Sequence, residues 1–166
     1  MRSDLSSLTI VSDSSPGRIL GIDAGERRIG IAISDPGRGF ALPLDSIQTD
    51  GNEFERLAAL IATEGVTDLV IGLPLSMSGE ASAQTERARA FAARAEERFG
   101  LPVHLWDERL TSREAERLTS RGREPPGRHR GRRERSARPK PTPDTDALAA
   151  SIILQAYLDS LRFERT

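Results

Sequence analysis

Apolar residues between Arg18 and Ser34 fall into two short runs on either side of a polar tip. Ile19, Leu20 and Ile22 lead up to a lone carboxylate, Asp23, Gly25 permits a tight reversal, and Ile29, Ile31 and Ile33 then alternate. The pattern predicts a β-hairpin in a sheet core. Asp35-Pro36-Gly37 marks another turn, and Phe40 to Ile47 reads as a third strand, which Pro43 suits to a sheet edge. Asn52 followed by Glu55 looks like a capping pair, after which Phe54, Leu57, Ala58 and Ile61 recur at helical spacing until Gly65. Val66 to Ile71 is a short apolar run of the buried-strand type, and it ends in the loop Gly72-Leu73-Pro74-Leu75 followed by Ser76, Ser78 and Gly79. Open α/β sheets place ligands at such strand ends.

From about Ala81 to Phe99 the residues Ala88, Phe91, Ala92, Ala95 and Phe99 form one apolar helical stripe, with Arg and Glu on the other faces and Gly100-Leu101-Pro102 as the stop. Val103 to Trp106 predicts another buried strand. It runs into Asp107-Glu108-Arg109, and Thr111 with Glu114 three residues on predicts the start of a helix. Ala147 to Leu161 is apolar on nearly all sides, which predicts a buried helix with Asp146 in its first turn, where the helix dipole favours a negative charge. The elements add up to an α/β fold with five strands, the first three antiparallel. Residues 1–17, rich in Ser and Asp, read as a disordered leader, residues 18–161 as one domain, and residues 121–143, rich in Arg, Pro and Gly, as a mobile loop within it.

A chain of 166 residues suffices for one full hydrophobic core. The absence of cysteine excludes disulfides, thiolate zinc sites and a cysteine nucleophile, and suits an intracellular protein. No apolar run approaches a membrane span and Met1 to Gly17 lacks a signal-peptide core, so the expected location is the cytoplasm. The net charge of −1 hides an asymmetry. Residues 121–140 hold nine of the 24 Lys+Arg and two of the 25 Asp+Glu, a local +7 against −8 for all the rest. Clustered arginines on an acidic body suggest a phosphate-binding tether, with a solvated linker as the plainer alternative.

Asp23, Glu108 and Asp146 share one description, each standing at the end of a buried strand or the start of a buried helix. Buried carboxylates need compensation from N–H groups, arginine or a metal ion, and hard divalent cations prefer oxygen ligands. The plainer reading of Asp23 is a turn aspartate, and of Asp146 a residue suited to a helix start. Four stretches in order, Ile22-Asp23-Ala24-Gly25-Glu26-Arg27-Arg28-Ile29-Gly30-Ile31-Ala32, Gly72-Leu73-Pro74-Leu75, Asp107-Glu108-Arg109-Leu110-Thr111 and Asp146-Ala147-Leu148-Ala149-Ala150, resemble the YqgF or RuvX family of RNase H-like proteins over roughly residues 18–161. The resemblance implies a central mixed sheet flanked by helices and a carboxylate cluster for Mg²⁺ or Mn²⁺. It also implies a nuclease that matures the 5′ end of 16S ribosomal RNA, with Holliday junction resolvase on branched DNA as an older, competing label.

Carried over position by position, the family's acidic residues fall on Asp23, Glu108 and Asp146 as catalytic metal ligands. Asp107 and Asp144 stand close by, but a strand-end ion pair is favoured over direct catalysis for Asp107 and Arg109, and a helix cap is the plainer reading of Asp144. Arg27, Arg28 and Arg109, with Arg128, Arg130, Arg132 and Arg133 of the basic segment, are the candidate nucleic-acid contacts. Ser76 and Ser78 stand where the family often shows Asn and Asp, and the basic segment is longer than the usual loop. His104, on a strand, and His129, in the loop, offer no histidine base or zinc site. Two rivals are an ATP-binding domain of the actin and sugar-kinase type, for which the chain is too short to supply both domains, and a non-catalytic RNA-binding factor, which would not need all three carboxylates.

Overall fold

In the computed structural model, which describes residues 16–76, 78, 80–110 and 144–163, one five-stranded sheet carries helices on both faces. The strands are β1 (Arg18–Ala24), β2 (Arg28–Ser34), β3 (Ala41–Gln48), β4 (Val66–Leu73) and β5 (Val103–Asp107), and the helices α1 (Glu53–Glu64), α2 (Ala83–Phe99) and α3 (Thr145–Phe163). The spatial order is β3-β2-β1-β4-β5, with β1, β2 and β3 an antiparallel meander and β4 and β5 added in parallel. The predicted leader up to residue 15 and the basic segment lie outside the described residues.

The sequence Arg-Ile-Gly-Ile-Ala-Ile-Ser of β2 shows how the two faces differ. Strand side chains alternate. Ile29, Ile31 and Ile33 therefore face one way, where with Leu20, Ile22, Leu69 and Ile71 they meet Phe54 and Leu57 of α1 and Phe91, Ala92 and Ala95 of α2. Gly30, Ala32 and Ser34 face the other way, beneath α3. There Ile19, Ala32 and Val70 pack on Ala150, Ile153, Leu154 and Leu158. A Cβ added at Gly21 would stand 2.7 Å from the Cβ of Leu154, so this face is lined with small residues because α3 lies almost on the sheet backbone. Buried Ser34 accepts a hydrogen bond from the Ile19 backbone N–H at 2.9 Å, beside the register shift between Arg18 and Ile19.

Four local expectations are corrected. Asn52 makes no side-chain cap for α1; its own N–H donates instead to Asp50 Oδ1 at 3.0 Å, and Gly51 N–H to Glu53 Oε2 at 2.7 Å. β5 is an edge strand and only partly buried, with Leu105 exposed, because it has a sheet neighbour on one side alone. α3 is not buried all round: Leu148 and Ile152 are exposed on the face away from the sheet. Residues 108–110 after β5 are already helical, with Asp107 as the cap, ahead of the predicted start at Thr111, which with Glu114 lies outside the described residues. Pro43 does lie on the edge strand β3.

Candidate active site

Asp23 is the last residue but one of β1, on the α3 side, directly across from Gly30 in the β1–β2 register. Its other neighbour is β4, where Ile22 pairs with Ile71, so Gly72 stands level with Asp23 on the adjoining strand. Both flanking positions are glycine for a steric reason. A Cβ at Gly30 would collide with the backbone carbonyl of Asp146, and one at Gly72 would stand 2.6 Å from Glu108 Oε1 and 2.6 Å from Ile153 Cδ1. The first turn of α3 thus rests on β2 through Asp146, and the Glu108 carboxyl folds back over β4. Asp23 lies between them.

The electrostatics record the same geometry. Burial raises the pKa of Asp23 above its ordinary value, and the negative charge of Asp146 raises it further. Glu108 is raised by burial first, then by Asp23 and by Asp107. Asp23 is the shared member of two like-charge couplings. Among the described residues no cation is paired with Asp23, Glu108 or Asp146. Nor, among those residues, does any group of three or more His, Cys, Asp or Glu stand close enough together to enclose a metal ion. The two outer carboxylates are held on opposite sides of Asp23. A site of paired carboxylates still fits Mg²⁺, which takes one or two protein carboxylates and fills its remaining positions with water and phosphate oxygens.

Asp107 and Asp144 have other occupations. Asp107 accepts the Arg109 backbone N–H at 3.0 Å and holds the guanidinium with contacts of 3.0 Å and 3.1 Å from Nε and 2.6 Å from Nη2. This is both a helix cap and an ion pair, and it fixes the chain direction just where Glu108 must turn inward. Asp144 caps α3: its backbone carbonyl accepts from Leu148 N–H at 2.9 Å and its Oδ1 from Asp146 N–H at 3.3 Å. Its Oδ2 is held by the Ser46 hydroxyl of β3 and lies 3.4 Å from Arg28 Nη1 of β2. The Ser46 hydrogen bond, backbone N–H donors and the Arg28 charge hold the Asp144 carboxyl below its ordinary pKa. Asp144 thus ties the turn that carries Asp146 to the antiparallel edge of the sheet.

Of the arginines, Arg27 and Arg28 are exposed at the hairpin tip, where with Gly25, Glu26 and Asp146 they line an open depression of about 420 Å³. Arg109 is bound to Asp107. Arg128, Arg130, Arg132 and Arg133 lie outside the described residues. Ser76 and Ser78 are engaged in their own turn, 2.8 Å apart, with the Ser76 hydroxyl accepting Glu80 N–H at 2.9 Å. His104 lies toward the far end of β5 from Glu108, 3.4 Å from Asp68 and against Tyr157; His129 is outside the described residues. The residues that sequence reasoning did not single out are Gly30, Gly72 and Ser46. The signal for Gly30 was present, since a β2 strand that alternates isoleucine with Gly, Ala and Ser announces a face reserved for a close neighbour.

The cradle can be tested directly. Gly72→Ala should cost on the order of 1 kcal/mol in stability, because the atoms it meets are ends of movable side chains, yet lower activity by about tenfold or more by displacing Glu108. Gly30→Ala meets rigid backbone and should be the more destabilising of the two, by about 1–3 kcal/mol. Thermal melts set beside cleavage rates separate the two effects.

A mixed sheet of this order, with helices on both faces, is an RNase H-like fold. The fold is shared with Thermus thermophilus RuvC in complex with a Holliday junction substrate, at a TM-score of 0.58 and 14% identity over 89% of this chain and 96% of that one. The family model RuvX, described as Holliday junction resolvase, matches residues 17–160. A protein of Syntrophus aciditrophicus named "Putative pre-16S rRNA nuclease" is 40% identical over 150 residues, covering 89% of this chain and 92% of that protein. One of Koribacter versatilis with the same name is 41% identical over 154 residues, covering 90% and 91%. The chain belongs to the RuvX family, and its enzyme class is that of a nuclease, a hydrolase.

Proposed function

We propose that this protein is a divalent-metal-dependent nuclease that hydrolyses a phosphodiester bond at the 5′ end of precursor 16S ribosomal RNA in the cytoplasm, with Asp23, Glu108 and Asp146 as its metal ligands. The observation that carries the reading is Asp23 placed between two other carboxylates, partly buried, coupled to both and paired with no cation among the described residues. Uncompensated negative charge at a ligand-prone sheet end favours a cation there. The precursor rRNA substrate is supported by the names of the relatives at about 40% identity.

Mg²⁺ or Mn²⁺ held by these carboxylates would supply charge neutralisation at the phosphate and a water made acidic enough to attack near neutral pH. The chain's own part is positioning. Asp107 fixes the turn from which Glu108 reaches over Gly72, Asp144 fixes the start of α3, and Arg27 and Arg28 present positive charge to the phosphate backbone beside Asp146. Hydrolysis in this arrangement needs no nucleophilic side chain.

The fold likeness to a RuvC bound to a Holliday junction gives DNA junction cleavage a place as the second reading. Incubation of the purified protein with end-labelled precursor rRNA and with a labelled four-way DNA junction, each with and without Mn²⁺, decides between them. Mn²⁺-dependent cleavage of the rRNA with the junction left intact is the expected result. Cleavage of the junction alone would establish the second reading, and binding of RNA without cleavage under any metal would leave a non-catalytic factor.

A further inference from the structure

The depression beside Asp146 does not end at the hairpin tip. Gly25 and Glu26, which line it, also line a cleft of about 210 Å³ on the other side of the tip, bounded by Arg87 and Arg94 of α2 and floored by Ile29 and Phe91. Arg94 in turn is shared with a third depression of about 410 Å³, bounded by Phe54, Glu97 and Arg98. The three lie side by side, sharing Gly25 and Glu26 at one junction and Arg94 at the other, from Asp146 along α2.

The sequence of α2 explains the lining. Arg87, Arg94 and Arg98 are separated by seven and then four residues, which in a helix of 3.6 residues per turn places all three on one face. They span eleven residues, about 16 Å of helix. Successive phosphates of a strand are spaced on the order of 3.4 Å along a duplex axis, so this ridge can follow several of them. Among the described residues, none of the three guanidiniums is locked in place by a close, buried partner. Arg87 is 3.9 Å from Glu26, Arg98 is 3.5 Å from Glu55, both pairs exposed, and Arg94 lies 4.4 Å over the Phe54 ring. Exposed ion pairs of this kind contribute little and exchange readily for a phosphate. The aromatic face under Arg94 holds that guanidinium beside Phe54 without neutralising its charge.

We infer that the α2 ridge of Arg87, Arg94 and Arg98 is a binding track for a single strand of RNA continuing from the scissile phosphate. Glu26, Glu53, Glu55 and Glu97 along the same walls weaken the grip, so that the strand is guided and released. This track rests on the nuclease reading for its connection to cleavage, but binding reports on it separately.

The test is fluorescence anisotropy of the full chain with a 5′-labelled 20-nucleotide single-stranded RNA across a salt series, with cleavage of precursor rRNA measured in parallel. Arg87→Gln/Arg94→Gln/Arg98→Gln should weaken binding by about tenfold or more and flatten the slope of log affinity against log salt by about 2, at roughly 0.7 per lost phosphate contact. The saturating cleavage rate should hold. Arg89→Gln, two residues from Arg87 and so on another face of the helix, should leave affinity and slope as they were. Glu97→Gln should tighten binding, a gain that a poorly folded variant would not show. Unchanged affinity and slope in the triple variant, or an equal loss in Arg89→Gln, overturns the track while leaving the nuclease reading intact. Ridge-dependent binding by a protein that cleaves nothing overturns the nuclease reading and leaves the track. A protein that binds no RNA at all overturns both.

Discussion

Asp23→Asn is expected to abolish Mn²⁺ binding and to lower cleavage by at least about a hundredfold, while raising the melting temperature of the metal-free protein. The two halves come from one cause. Without metal, Asp23 bears its charge half-buried beside Asp146 and Glu108, and burial with like-charge repulsion has raised its pKa and that of Glu108. A carboxyl whose folded pKa lies above its unfolded value adds stability in its protonated form. That contribution is fully present below the unfolded pKa and is lost as pH rises through the folded one. Asp50, Asp68 and Asp144 have the opposite sign, being held below their ordinary values, so they lose stabilising effect as pH falls. The informative quantity is therefore the difference between the two proteins. The advantage of the Asn variant should be largest near neutral pH and shrink as pH falls through the folded pKa of Asp23. Added Mn²⁺ should reverse the ranking, since a ligand at a hundred times its Kd stabilises the protein that binds it by about 2.7 kcal/mol and the variant by none. Calorimetric titration showing unchanged Mn²⁺ affinity in Asp23→Asn would make Asp23 a turn residue and place any metal elsewhere.

The strands were legible because the alternation in β2 and the short apolar runs of β1 and β4 report burial, and the antiparallel sense of the first three followed from the tight turns between them. The second face was harder to read. Gly21, Gly30 and Gly72 look like turn or bulge residues in a linear reading, and their reason appears only when α3 lies within reach of the backbone. The same contact explains the misjudged α3: six of its residues, among them Ala147, Ala150 and Leu154, face the sheet, whereas Leu148 and Ile152 are exposed. Composition alone could not distinguish these faces. Where the carboxylates stand was visible as strand ends and a helix start, and the fold sets Asp23 between Asp146 and Glu108 without gathering the three into one cluster. What the sequence hid was their order across the sheet, Asp146 toward β2 and Glu108 toward β4, because this depends on two steric gaps and on the Ser46 and Arg28 ties to Asp144. The arginine track was hidden in plain alternation, as Arg and Glu on the outer faces of α2 read as ordinary solvent-facing charge.

Glu108→Gln should lose far more activity than Asp107→Asn, on the order of a hundredfold against less than about tenfold, although the two carboxylates are adjacent. Asp107 is committed to the backbone N–H and guanidinium of Arg109 through contacts between 2.6 Å and 3.1 Å, and an asparagine oxygen can still accept the backbone N–H and keep the cap. Its substitution weakens an ion pair at the protein surface and loosens the turn, a positioning effect. Glu108 instead turns back over Gly72, where burial first and then the charge of Asp23 raise its pKa, with no cation to balance it among the described residues. Glutamine keeps its shape and volume but removes the charge, so the variant should melt no lower than the parent while its activity falls. The two substitutions also differ in what restores function. Raising Mn²⁺ should recover part of the Asp107→Asn defect, since the ligands remain and only their placement has loosened, and should recover little for Glu108→Gln. Measured kcat and KM for both variants across a Mn²⁺ series give the ranking. An Asp107→Asn variant that proved the weaker enzyme would mean that Asp107 faces the metal in the working state and that the turn after β5 shifts by one residue when metal binds.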